Sequence, residues 1–331
     1  MARSGTALTR TLVAGIDVGG TKLHTVIATA KGKIVARGRK KTKAENGFAA
    51  VIARIGKCLK EACNAAGVKP RQLSAVGVGA PSAIDAKGRA VNAPNMGWRN
   101  VPLVDALVEE IGRPVVAGND CDLGTLGEYT FGAGKGATSL VGFFMGTGLG
   151  GGMVRNGEML RGENNLAAEL GHMTVRVDGR RCGCGKRGCL EAYASKTGLG
   201  TFFKQAIEKE GRRSSLTKVE GIDLANVRSG ILAEAYRAGD KVVREGLDEA
   251  VRYLGIGVAN MITAFGPDRV VLGGGVFEAL GKQLIGAVKR SAKGETFPPP
   301  SFRDTGIVLS SLGDDAVALG ALAFALSTDG K

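Results

Sequence analysis

The sequence predicts an α/β protein built twice on one element order, βββαβαβ. Three observations carry this. Apolar runs of strand length alternate with helix-length segments whose apolar residues recur every three or four positions. The order begins near residue 12 and again near residue 138. Each half opens on two apolar runs joined by a short turn rich in Gly and Thr. The halves share no close identity, so the repeat is one of order. Two such halves are expected to leave an interdomain cleft for a ligand.

In the first half, strands are expected at 12–18, 23–29 and 34–37. A helix follows over 48–66, with Val51, Ile55, Leu59 and Ala62 on one stripe. Next come a strand at 75–79, a helix at 103–111, a strand at 114–117 and a helix from about 120 to 129. The second half starts with strands at 139–145 and 149–155 and a third expected at 173–177. Its best helix covers 240–265, where Val243, Leu247, Val251, Leu254, Val258 and Ile262 share a face. A strand at 269–272, a helix at 277–292, a strand at 306–309 and a helix at 314–326 complete it, with 297–300 read as a stiff Pro loop.

Composition sets bounds. The 331 residues are 44% hydrophobic and 23% charged, which suits a globular chain with a sizeable core. The formal charge is +14, yet the basic residues are spread along the chain, and the tightest cluster, 37–43, reads as a solvated edge strand and loop. Aromatics are only 5%, with no stacking platform among the cations, so no nucleic-acid partner is expected. No apolar run reaches the roughly 18 residues of a membrane span. The basic start, residues 1–10, is followed by an apolar stretch that Asp17 cuts short, which is no signal-peptide core. Six cysteines, three of them clustered, point to a reducing cytoplasm.

Five motifs carry chemistry. In Asp17-Val18-Gly19-Gly20-Thr21-Lys22, glycines bring backbone N–H groups close to an anion and Thr21 adds a hydroxyl. Asp17 would repel a phosphate unless a cation intervened, which implies Mg²⁺ held through water. Gly146-Thr147-Gly148 occupies the same place in the second half, so the two turns read as a pair of phosphate grips. Asn119-Asp120 joins the end of a strand to the start of a helix, where either residue caps well and a carboxylate can take a hydroxyl proton. His172, Cys182, Cys184 and Cys189 are the complement of a closed tetrahedral Zn²⁺ site, structural because no ligand position stays open. Glu169 and Glu191 bracket that loop. Gly273-Gly274-Gly275 ends a strand and would let a base or ribose approach the backbone.

Together these residues resemble the ROK family of sugar kinases and repressors, most nearly its bacterial glucokinases, over residues 12–326. The resemblance implies the actin/hexokinase-like (ribonuclease H-like) fold and an ATP-dependent phosphorylation of a hexose, glucose first, at C6. It divides the chain into a small domain, residues 1–118 with the C-terminal helix 314–331, and a large domain, 119–313, with the zinc loop and dimer-type helices. Asp120 would be the general base. Asn119, Glu169, His172 and Glu191 would bind sugar hydroxyls, with His172 giving one ring nitrogen to zinc. Asp17, Gly19, Gly20, Thr21, Lys22, Thr147 and Gly148 would hold ATP phosphates, and Gly274 and Gly275 the adenosine side. Ser82 stands where the family's sugar-side loop usually has Gly, and Asn95 falls in a segment one residue shorter than the family's, so both are candidate sugar contacts. A homodimer is the family expectation. The alternatives are inorganic polyphosphate as donor; mannose, fructose, allose or an N-acetylhexosamine as acceptor; and a sugar-responsive repressor. That last would need a winged helix-turn-helix ahead of a first strand that begins only about eleven residues in.

Overall fold

A computed structural model describes residues 12–327; the basic start, 1–10, lies outside them. The described residues form two compact units. Unit 1 holds residues up to 127, 163–166 and those from 314 onward; unit 2 holds 128–162 and 167–313.

Unit 1 begins with β1 (Leu12–Val18), β2 (Lys22–Thr29) and β3 (Ile34–Lys41). The amphipathic α1 (Phe48–Ala65) follows, with Val51, Ile55, Leu59 and Ala62 buried as their spacing predicts. Then come β4 (Ala75–Ala80), a small hairpin of β5 (Ala90–Ala93) and β6 (Trp98–Val101), α2 (Leu103–Ile111), β7 (Val115–Asn119) and α3 (Asp120–Phe131). The sheet order is β3-β2-β1-β4-β7, antiparallel over the first three strands and parallel over the rest.

Unit 2 repeats that order. Its strands are β8 (Ser139–Met145), β9 (Leu149–Arg155) and β10 (Glu158–Met159). The helices α4 (Lys196–Phe203), α5 (Ser229–Arg237) and α6 (Lys241–Phe265) intervene before β11 (Arg269–Gly273). Next are α7 (Gly275–Glu295), the short α8 (Pro299–Asp304) and β12 (Gly306–Leu309). The sheet runs β10-β9-β8-β11-β12, the same topology as in unit 1. The duplicated α/β architecture is therefore present.

The chain closes on α9 (Ala316–Leu326), which is apolar all round and nearly all buried. It lies on β1 and β4 at very close range. A Cβ on Gly15 would stand 1.8 Å from the Ala318 carbonyl oxygen, and one on Gly77 1.9 Å from that of Ala321. Glycine is what lets this helix lie flat on the sheet.

Two expectations need correction. The third strand of the second half is β10, not 173–177. Thr174 instead forms an isolated bridge to Cys189, Val175 N–H donates to Gly188 O, and Val177 is 82% exposed. Alternating apolar residues looked like a strand there, but the segment pairs with the cysteine loop. The Pro run at 297–300 also does not stay a loop. Pro299 opens α8, because a first-turn proline gives up no helical hydrogen bond.

Candidate active site

In unit 1, β1 delivers Asp17 and the turn Gly19–Thr21 carries the chain into β2, where Asp17 sits opposite His24. Gly19 N–H donates to Lys22 O at 2.9 Å, and the Thr42 hydroxyl donates to Gly19 O at 2.6 Å, so the turn is braced from β3's far end. Asp17 is half-buried. Burial first, then the nearby Asp120 charge, push its carboxyl up to about 7, against the pull of Lys22. Lys22 itself pairs with Asp314 at 3.0 Å.

The parallel pairing of β1, β4 and β7 aligns Asp17, Gly79 and Gly118 at the carboxyl ends of their strands, with Asn119 and Asp120 next along. Asn119 caps α3: its Oδ1 accepts from Cys121 N–H at 2.8 Å and from Asp122 N–H at 3.2 Å. The Asp120 Oδ1 also accepts from Cys121 N–H, at 2.8 Å. The helix start thus holds the acid by its own backbone. Asn95 is exposed beside the first turn, its Cβ 3.7 Å from where a Gly20 Cβ would be. Ser82 is buried, and its hydroxyl closes its own loop, donating to Ala83 O and accepting from Asn92 N–H.

In unit 2, the Gly146–Gly148 turn joins β8 to β9, with Gly146 N–H donating to Gly148 O at 2.9 Å. Gly274 and Gly275 lie at the other side of β8. Gly274 sits at φ 85° where a Cβ would strike the Met145 backbone, and Gly275 starts α7.

The cysteine loop closes as a knuckle: Cys182 N–H donates to Lys186 O at 2.8 Å and Gly185 N–H to Cys182 O at 3.0 Å. His172, Cys182, Cys184 and Cys189 bring one ligand atom each within 4.8 Å of one another. His172 Nδ1 is 3.7 Å from the Cys182 Sγ, and the Cys184 and Cys189 sulfurs are 3.7 Å apart. A tetrahedron with Zn–S bonds of about 2.3 Å has sulfur–sulfur edges of about 3.8 Å. The donor set and its spacing therefore fit Zn²⁺, with Nδ1 as the ring atom facing the cluster. The loop is pinned to α6, where Tyr193 stacks on Tyr253 at 4.0 Å and Arg180 pairs with Glu249 at 2.8 Å. Glu169 precedes the 3₁₀ turn of His172 and is exposed, whereas the half-buried Glu191 accepts from Leu149 N–H at 3.0 Å.

The sequence pattern of the ROK family matches residues 13–328. The chain belongs to the ROK family. It is 37% identical to a glucokinase of Thermotoga maritima, covering 93% of this chain and 95% of that one. It is 35% identical to a glucokinase of Halalkalibacterium halodurans over 92% of each. A ROK family glucokinase from Streptomyces griseus, solved in complex with glucose and AMPPNP, superposes with a TM-score of 0.81 at 32% identity, covering 95% of this chain and 99% of that one. The fold is accordingly the actin/hexokinase-like one of ROK glucokinases.

Within this ROK chain, some neighbours of the candidate site escaped sequence reasoning. Asp314 reaches Lys22 only because α9 returns to unit 1. Lys196 and Thr197 support the second turn: Lys196 N–H donates to Gly146 O at 3.0 Å, and the Thr197 hydroxyl donates to Thr147 O at 2.9 Å. Ser195, a good N-cap type just before them, was the available signal for α4. The basic strand β3 lies at the sheet edge as expected, but Arg37 pairs with Asp315 and Arg39 with Asp314. No helix among the described residues is long and apolar enough to cross a membrane.

Proposed function

We propose that this protein transfers the γ-phosphoryl group of ATP to a hexose hydroxyl, with glucose as substrate and C6 as the acceptor position. It is a sugar kinase of the ROK type. One observation carries the reading: Asp120 stands at the β7–α3 junction, held by a helix N–H, close enough to the half-buried Asp17 to raise its pKa. An acid fixed by backbone can take the proton of an attacking hydroxyl, and phosphoryl transfer asks the rest of the protein mainly for positioning and charge.

In this reading Asp120 is the general base and Asn119 a sugar ligand. Glu169, Glu191 and the second ring nitrogen of His172 receive further hydroxyls; Ser82 shapes the sugar-side loop, and Asn95 stands beside the donor turn. Asp17 through Lys22 and Thr147-Gly148 hold the phosphates, and Gly274-Gly275 the adenosine side. Asp17 would hold Mg²⁺ through water, which would neutralise phosphate charge and remove the cost of an ionised Asp17. His172, Cys182, Cys184 and Cys189 would hold Zn²⁺ as a structural centre that keeps Glu169, His172 and Glu191 in place. We favour ATP over polyphosphate because Arg37 and Arg39, the obvious start of a polyanion track, are tied to Asp315 and Asp314. A reducing cytoplasm suits three free thiols around one metal, and a homodimer is the assembly we expect.

The test is release of ADP over a panel of glucose, mannose, fructose, allose and N-acetylhexosamines, with ATP and polyphosphate compared as donors. Glucose with ATP should give the highest kcat/KM. Absence of turnover with every sugar, combined with sequence-specific DNA binding at physiological salt, would replace this reading by the repressor one.

A further inference from the structure

The segment that leaves the cysteine loop wraps the second phosphate turn. Glu191 Oε2 accepts from Leu149 N–H at 3.0 Å, and its other oxygen lies 3.4 Å from the Cys182 sulfur. The fit is close: a Cβ on Gly148 would stand 2.4 Å from Oε2, so only glycine leaves room for this carboxylate. Ser195, four residues on, donates its hydroxyl to Glu191 O at 2.8 Å and caps α4 through Gly198 N–H. From that cap, Lys196 and Thr197 N–H groups reach the Gly146 and Thr147 carbonyls at 3.0 and 3.1 Å. One continuous stretch, from Cys189 to Thr197, therefore touches both the metal-type cluster and the turn, at Gly146, Thr147 and the Leu149 N–H that follows it.

We infer that Glu191 is a positioning residue for the phosphate donor, and that the metal centre sets the Gly146–Gly148 turn through it. The inference rests on the reading of that turn as a donor grip. It gives the cysteine cluster a task besides keeping Glu169 and His172 in place. A turn of glycines has little stiffness of its own, so its N–H groups point at an anion only if something outside holds them. A carboxylate accepting a backbone N–H is a strong, directional hold. Glu191 supplies it from the metal side and the α4 start supplies the other.

The test compares Glu191→Ala, Glu191→Gln, Thr197→Val and Thr147→Ala with the wild type. AMPPNP binding is measured calorimetrically without sugar, metal content by mass spectrometry, and hydrogen exchange on the peptide spanning 146–150. Glu191→Ala should weaken AMPPNP about tenfold and speed exchange in that peptide while the metal stays bound. Glu191→Gln, whose amide oxygen can still accept from Leu149 N–H, should recover most of both. Thr197→Val should weaken AMPPNP about threefold with glucose affinity unchanged, which keeps the inference testable if Glu191→Ala does not fold. Chelation of the wild type should also speed exchange in the 146–150 peptide. If Thr147→Ala weakens AMPPNP but Glu191→Ala, Glu191→Gln and Thr197→Val all bind it within twofold of wild type, the positioning role is overturned alone. If Thr147→Ala itself leaves AMPPNP affinity unchanged, the donor-grip reading falls and this inference with it.

Discussion

Desolvation, which withholds water from its anion, and the second negative charge of Asp120 raise the Asp17 carboxyl to about 7. The folded state therefore keeps a proton that the unfolded chain loses above pH 3.8. The stabilisation this gives is complete below that pH and is lost as pH rises through about 7. Asp17→Asn has no such titration. Without divalent cations, its unfolding temperature relative to wild type should climb by a few degrees between pH 4 and pH 8, and a flat difference across that range would refute the assignment. Asp120→Asn tests the base. It keeps the cap at Asn119 and an oxygen for Cys121 N–H, so the fold and sugar binding should survive while kcat falls at least a hundredfold. A variant retaining more than about a tenth of wild-type kcat would rule out proton transfer by Asp120. Both acids were legible in the sequence as motif residues. Their mutual repulsion was not, because it depends on β1 and β7 both pairing with β4.

Two elements owe their form to contacts that the local pattern does not carry. The cysteine loop has almost no apolar core of its own, and Gly-rich knuckles of this kind draw stability from a bound metal. Cys184→Ser removes one donor of four, so zinc content and unfolding temperature should fall together, the latter by roughly 5 °C or more. Equal zinc in both proteins would show that the cluster is not the binding site. The last helix, α9, is the second case. Its hydropathy is uniform, so periodicity predicts a buried helix but not its partner. The partner is written instead in the glycines of the strands beneath it. Gly77→Ala would push a methyl group into the Ala321 carbonyl and should cost about 1–3 kcal/mol, seen as a lower denaturant midpoint with an unchanged slope. The small hairpin β5–β6 and the π-type turn at Lys204–Lys209 were not anticipated, since neither has a run long enough to show a period.

For the molecule as a whole, the sequence alone determined the duplicated βββαβαβ order, most strand and helix positions, and the residue types of each motif. Apolar periodicity and glycine turns are local properties, and they report secondary structure and turn chemistry directly. The ROK membership follows from the same motifs in the same order. Which of those residues meet is a property of the folded chain. Folding brought Asp314 to Lys22, set Glu191 under the second turn, turned Nδ1 of His172 toward the thiols, and bound the Ser82 hydroxyl into its own loop. It also moved the third strand of unit 2 from 173–177 to β10, because that segment's backbone pairs with the cysteine loop. These are contacts between residues far apart in the chain or across a closed loop. They depend on strand pairing, helix return and side-chain direction, and no local pattern in a single sequence encodes those three together.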